Sequence, residues 1–227
     1  MSGLVIKHRR NFHVVRWLLV LIIMGFIAAY AYFGFRWYST GVPSPFPIPV
    51  AAADASVNEQ PVTEAQVEAH TVPEFQPRYV SILKTGLTNA RVMKVGVTEN
   101  KMLALPSNLN DVGWFEKSAT PGSGSAAVVL TGHNGGISRV GALAKLHDLE
   151  AGDEIAIERG DGKQFVYLVR KVRNVTLEQF NAGLMKDMMQ SLDPEQEGLS
   201  IITSAGNWIP KQKVFDRRIL VQAAIAK

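Results

Sequence analysis

LSIITS at residues 199–204 and FDRRILV at residues 215–221 are the stretches from which the fold is best inferred. Both are rich in β-branched and aliphatic residues, which predicts two strands joined by a loop. The first strand ends on the small hydroxyl residue Ser204, and Arg217 and Arg218 lie at the entry of the second. The two strands therefore each present a polar group near one end.

A third predicted strand lies upstream, where VVLTGH at residues 128–133 ends on His133. Histidine changes its charge near neutral pH, which suits it to general acid–base catalysis. Three strands that each present one polar group at an end are a way for a β scaffold to hold a catalytic constellation.

Short predicted strands separated by turn signals continue through residues 77–227. The clearest pair is a hairpin at residues 154–172 around the turn RGDG, residues 159–162. Residues 176–192 have helical spacing and begin with a capping-box pattern. Many short strands with few helices predict a β-barrel or a β-sandwich.

The N-terminal part of the chain predicts a membrane anchor. Residues 17–36 include 19 consecutive uncharged residues, WLLVLIIMGFIAAYAYFGF, which as a helix span about 28 Å, close to the ~30 Å hydrocarbon core of a bilayer. Four basic residues precede this run in the tail, residues 1–16. The excess of basic residues predicts a single-pass protein with a cytoplasmic N-terminus and an extracytoplasmic C-terminal part.

Residues 37–76 are rich in Pro, Ala and Glu and too poor in apolar residues to form a core, so we expect a linker that holds the domain of residues 77–227 away from the lipid. The net charge is +4, but the basic residues form no stripe interleaved with aromatics, so we predict no nucleic-acid binding. The chain has no cysteine and no metal-ligand spacing around its histidines, and we expect neither a metal nor a cofactor.

The motifs of residues 77–225 resemble those of the sortase family, most closely its class F and class E branches. The resemblance rests on their order: LTGH at residues 130–133, SIITS at residues 200–204, and RRILVQA at residues 217–223. VGWF, PG and GDEI, at residues 112–115, 121–122 and 152–155, are also similar to the family.

The resemblance implies an eight-stranded barrel and a cell-surface transpeptidase of LPxTG-like sorting signals, whose acyl-enzyme is resolved by an amine from a cell-wall precursor or a pilin-type lysine. It implies that His133 is the general acid and base. It implies that Arg218, with Arg217 as the alternative, donates hydrogen bonds to the substrate or oxyanion. Thr203 and Asn207 are its candidate substrate-binding residues.

Ser204 stands where the family has its catalytic cysteine. A thiol is ionised easily beside an imidazolium, whereas a serine hydroxyl needs a hydrogen-bonded base that is usually oriented by a carboxylate. Three interpretations follow: a degenerate sortase that binds peptide as a non-catalytic surface module, a serine-dependent hydrolase with a rearranged site, or an engineered Cys→Ser form that would trap a complex.

Overall fold

The computed structural model describes residues 12–46, 56–99 and 102–226. Its main body is a closed barrel of eight strands with short helices, which confirms the predicted eight-stranded β-barrel. The strands are β1 (Pro77–Ile82), β2 (Leu87–Val95), β3 (Val112–Phe115), β4 (Ala127–Gly132), β5 (Glu154–Arg159), β6 (Gln164–Thr176), β7 (Gly198–Ile209) and β8 (Val214–Ile225).

The strands follow the order β1-β2-β3-β4-β7-β8-β6-β5 around the barrel, and β5 pairs with β1 to close it. β2–β3 and β4–β7 are parallel pairs, and the other neighbours are antiparallel. Because β4 and β7 run side by side in the same direction, their C-terminal ends meet at the same mouth of the barrel.

The wall formed by β4 and β7 is buried on both of its faces. Side chains alternate between the faces of a strand: Leu199 and Ile201 of β7 belong to the cluster inside the barrel, whereas Ile202 belongs to a second cluster on the outside. Every residue of β4 is buried. The continuous apolar run at residues 127–130 is what such two-sided burial requires.

Short helices between β6 and β7 cover this outer cluster. They are α3 (Leu177–Gln179), a π-helical turn (Phe180–Leu184) and α4 (Met185–Met188). The predicted capping box is confirmed at Thr176 and Gln179. The predicted helix of residues 176–192 is shorter and interrupted, because Gly183 adopts φ +142°, a conformation that no regular helix contains.

The predicted hairpin at residues 154–172 is also confirmed, with Glu158 opposite Gln164 across the turn. The N-terminal helix, α1 (Phe12–Thr40), extends beyond the predicted span of residues 17–36 at both ends. It is long and apolar enough to cross a membrane, and its apolar side chains are exposed. The predicted tail, residues 1–16, lies mostly outside the described residues.

The predicted linker, residues 37–76, differs from the expectation in its second half. From Ser56 onward the chain packs on the barrel and forms the short helix α2 (Glu64–Glu68). Asn58 pairs with Asn108, and the Tyr79 hydroxyl donates to the Val67 carbonyl. These contacts are mostly polar, so the pattern of apolar residues in the sequence does not predict them. Residues 47–55 lie outside the described part of the chain.

Candidate active site

The ends of three adjacent strands bring His133, Ser204 and Arg218 into one line, here called the polar row. In the β4–β7 pair Gly132 lies opposite Thr203, so the residues that follow them, His133 and Ser204, are neighbours. In the β7–β8 pair Ser204 lies opposite Arg218. Residues at the same level of neighbouring strands point to the same face.

That face is the outer one. Ser204 is two residues beyond Ile202, and Arg218 is two residues before Leu220, and both apolar residues belong to the outer cluster. The polar row therefore lies at the mouth of the barrel, beside the end of the outer apolar cluster that the short helices cover.

His133 is 7 % exposed, and its Nε2 lies 2.7 Å from the carbonyl oxygen of Pro106. A carbonyl oxygen only accepts hydrogen bonds, so Nε2 carries the proton in this arrangement and Nδ1 is left as the acceptor. The Pro106 carbonyl thus sets the tautomer, as a carboxylate does in a serine triad.

The segment of residues 58–60, here called the strap, holds both loops that position His133. Asn58 exchanges backbone hydrogen bonds with Ser107 and Leu109, at 3.0 and 2.8 Å, next to Pro106. The Glu59 carboxylate accepts hydrogen bonds from the backbone N–H groups of Ile137 and Ser138 and from the Ser138 hydroxyl. Both residues lie in the loop that follows His133. The hydroxyl of Ser138, together with these backbone donors, lowers the pKa of Glu59.

The Ser204 side chain is half-buried and makes no hydrogen bond with any described residue. Its hydroxyl is therefore free to meet a substrate. Activation of that hydroxyl requires a base within hydrogen-bond reach. The imidazole one strand away is the titratable group that the strand register brings next to it.

Arg218 and Arg217 occupy different environments. Nη1 of Arg218 donates to the carbonyls of Phe215 and Arg217 at 2.9 and 2.8 Å, which leaves its other N–H groups without an acceptor among the described residues. Burial lowers the pKa of the Arg218 guanidinium, although an arginine stays charged at neutral pH. Arg217 points to the other face and binds Asn174 through Nε, at 2.7 Å.

The structure does not bring Thr203 and Asn207 into the polar row. The Thr203 hydroxyl is buried and donates to the Gly132 carbonyl at 2.9 Å, which ties β7 to β4 immediately before the row. The backbone N–H of Asn207 donates to Asp216 at 2.7 Å. Both groups are already engaged within the protein, and their role in substrate binding stays a prediction.

A buried ion pair beside His133 has no counterpart in the sequence prediction. Val112 lies opposite Gly132 in the β3–β4 pair, so Asp111 is next to His133. Both of its carboxylate oxygens are bound by Arg91, at 2.9 and 2.8 Å. Asp111 lies just before a strand in NDVGW, but nothing local in the sequence indicates which cation it pairs with.

Two clefts lie near the ends of these strands. One, of about 620 Å³, lies between α3 and the β7–β8 hairpin and is lined by Leu177, Ile209 and Arg217 among others. The other, of about 480 Å³, is lined by Arg91, Asp111 and neighbouring residues. In the described part of the chain, His133, Ser204 and Arg218 line neither of these two clefts.

The fold and the site together define a class of protein. It has a closed β-barrel domain with a polar row at one mouth, preceded by an apolar helix that is a candidate membrane anchor. The family model of the sortase domain matches residues 80–226. The chain therefore belongs to the sortase family.

Solved structures agree on the fold. A pilus-related sortase C of Group B Streptococcus is 18 % identical, with a TM-score of 0.50 over 91 % of this chain and 89 % of that one. Sortase C1 of Streptococcus agalactiae is 19 % identical, with a TM-score of 0.50 over 73 % of this chain and 78 % of that one. No curated protein matches the chain in sequence. The class F-like or E-like assignment stays a prediction.

Proposed function

We propose that the protein is a membrane-anchored sortase that binds LPxTG-like sorting signals of surface proteins at the polar row, with Ser204 in the position of the nucleophile. The observation that carries the proposal is the alignment of His133, Ser204 and Arg218 on one face of three adjacent strands. The proposed path of the extended peptide crosses the strand ends at which these three residues lie.

The transpeptidation for which such a site is built has two acyl transfers. The nucleophile gives its proton to His133 and attacks the carbonyl carbon of the Thr–Gly bond, and the C–N bond breaks while His133 passes that proton to the leaving amine. An acceptor amine then attacks the acyl-enzyme and loses a proton to His133, which returns it to the nucleophile as the ester or thioester bond breaks. The free N–H groups of Arg218 face the charge that develops on the carbonyl oxygen.

With serine as the nucleophile, we expect this chemistry to be very slow. A serine hydroxyl must lose its proton to a base during attack, and efficient serine enzymes orient that base with a carboxylate. Here the Nε2 of His133 faces the neutral carbonyl of Pro106, and the nearby Asp111 is held by Arg91. These contacts favour the peptide-binding interpretation over the serine hydrolase as the second candidate function.

The test uses the full chain in detergent or nanodiscs with a quenched LPxTG-type peptide and an amine acceptor. The chain has no cysteine, so Ser204→Cys introduces its only thiol. We expect S204C to cleave the peptide and join it to the amine, whereas the parent chain and S204A bind the peptide without cleaving it. The double variant S204C/H133A is the control that removes the acid–base group.

Each other outcome assigns a different function. Cleavage by the parent but not by S204A would establish serine as a working nucleophile. Binding without cleavage by any variant would make the protein a peptide-binding module. If no variant binds or cleaves the peptide, the sorting signal is refuted as the ligand.

The partners follow from the same proposal. They are a sorting-signal peptide, an amine acceptor from a cell-wall precursor or a pilin-type lysine, and the membrane. We further propose that α1 crosses the membrane once with the N-terminus in the cytoplasm. The four basic residues before the apolar run support this orientation, since residues 37–77 contain no lysine or arginine.

A further inference from the structure

We propose that the tip of the β7–β8 hairpin, residues 207–215, rests on the anionic lipid surface beside the end of α1. The tip would thereby hold the polar row close to the membrane. The inference rests on the proposed membrane anchoring of α1 and goes beyond it, because an anchor alone leaves the position of the barrel relative to the lipid undefined. Several contacts between α1 and the hairpin carry it.

The end of α1 is joined directly to the hairpin tip. The backbone N–H of Lys211 donates to the carbonyl of Tyr38, in the last turn of α1, at 3.1 Å. Gly41, the first residue after the helix, is buried with φ +72°, and a Cβ at this position would lie 2.6 Å from the carbonyl oxygen of Trp208. The close approach and the left-handed backbone both require glycine.

This junction determines the depth of the tip. The uncharged run ends at Phe35, and Tyr38 lies three residues further on, about 4.5 Å along the helix axis. If the run spans the hydrocarbon core, Trp37 and Tyr38 lie in the headgroup layer, where amphipathic aromatic rings are favoured. The amide of Lys211, hydrogen-bonded to Tyr38, must then lie at the same level.

The tip has the chemistry that this layer favours. The rings of Trp208 and Phe215 form an edge-to-face pair with centroids 5.2 Å apart, and Ile209 is half-exposed beside them. Lys211 and Lys213 are exposed at the turn, and residues 207–215 contain no acidic residue. Exposed lysines next to aromatic side chains suit an anionic lipid surface.

Contact of the tip with lipid would place the site near the membrane. Ser204 precedes Trp208 by four residues on β7, about 13 Å along the strand. The polar row would then open beside the headgroup layer, whereas an anchor alone would leave its height above the lipid undefined.

Spin labels test the proposal in the full chain. Because the chain has no cysteine, Gln212→Cys labels the tip alone, and Lys163→Cys labels the exposed β5–β6 turn as a control. The chain is placed in bilayers of phosphatidylcholine with about one part in four of phosphatidylglycerol. We expect collisions of the Q212C label with a water-soluble nickel chelate to be at least about threefold rarer than those of the K163C label.

Charge reversal tests the role of the lysines. In the Q212C background, K211E/K213E should restore access of the chelate, whereas the matched pair K117E/K163E, on exposed barrel lysines, should not. Equal access at positions 212 and 163 would overturn the proposal, as would a protected tip that does not respond to K211E/K213E. A third label at Ile22→Cys reports on α1 itself: chelate access there would show that the anchor has failed, which is a separate result.

Discussion

Arg218 and Arg217 show how much one residue of strand register matters. Arg218 lies opposite Ser204 and keeps free N–H groups, whereas Arg217 faces the other way and binds Asn174. In the S204C background we predict that R218K lowers kcat by about 10²–10³-fold, because an ammonium lacks the planar fork that supports the oxyanion. R217K is the matched control.

The measurement for this pair is steady-state transpeptidation with both variants at the same pH. Full activity of R218K together with loss of activity in R217K would assign the role to Arg217 and would show that the outer face is not the reacting face.

Thr203 gives a prediction about stability. Its buried hydroxyl donates to the Gly132 carbonyl, so T203V removes this hydrogen bond and we expect a loss of about 0.5–1.5 kcal/mol. For a chain of this size the melting temperature should fall by roughly 2–4 °C per kcal/mol. T203S retains the hydroxyl and serves as the control in thermal unfolding. An unchanged melting temperature for T203V would show that the bond contributes nothing.

At the scale of elements, the strap is the feature that positions the loop after His133. Removing the charge of Glu59 with E59Q should weaken its bonds to Ile137 and Ser138 and accelerate amide hydrogen exchange in residues 134–141 several-fold. E68Q, at an exposed glutamate of α2, is the control. Equal exchange in E59Q and the parent would contradict a positioning role for the strap.

The same carboxylate makes the loop sensitive to pH. Because the pKa of Glu59 is lowered in the folded protein, its stabilising effect is present above the ordinary value of 4.5 and is lost as the pH falls through the folded pKa. We therefore expect exchange in residues 134–141, corrected for intrinsic rates, to rise below about pH 4 in the parent. E59Q should show no such rise, and a rise of the same size in E59Q would assign it to another group.

For the whole molecule, the opposite end of the barrel is held by a buried carboxylate far from the polar row. Glu197 accepts hydrogen bonds from the N–H groups of Gly122 and Gly124, at 3.0 and 2.9 Å, and from the Tyr167 hydroxyl. Burial, with a contribution from Glu197, raises the pKa of Tyr167 far above its ordinary range. Tyr167 therefore stays neutral in the folded barrel and keeps its hydroxyl as a hydrogen-bond donor to Glu197.

Y167F tests this end of the barrel. We expect a loss of about 1–3 kcal/mol at neutral pH, because the substitution removes one buried donor to Glu197. Because the pKa of Tyr167 is raised in the folded protein, the phenol stabilises the fold fully below its unfolded pKa of about 10. This stabilising contribution is lost progressively as the pH rises above that value. Denaturant unfolding between neutral pH and pH 11 should thus show a steeper alkaline loss in the parent than in Y167F. Equal slopes would contradict this account.

Local sequence patterns determined the mainly β class, the apolar N-terminal helix, the β5–β6 hairpin and the three strand ends that carry His133, Ser204 and the arginines, whereas the barrel rather than a sandwich was implied by the resemblance of the motifs to the sortase family. Alternation, apolar runs and turn residues are properties of neighbours in the chain, and they can be read without knowing what lies across the fold. The interrupted helix after β6 was harder to predict, because its break depends on the backbone angle of a single glycine.

Only the tertiary structure decided which arginine lies opposite Ser204, which carbonyl faces His133, and that Glu59 and Asp111 contribute beside it. These relations join residues up to 79 positions apart, such as Glu59 and Ser138. A single polar contact of this kind has no periodicity in the sequence, because its geometry exists only after the strands have paired in register. The same reason explains why residues 37–76 are predicted only as a linker, although the chain from Ser56 onward packs on the barrel.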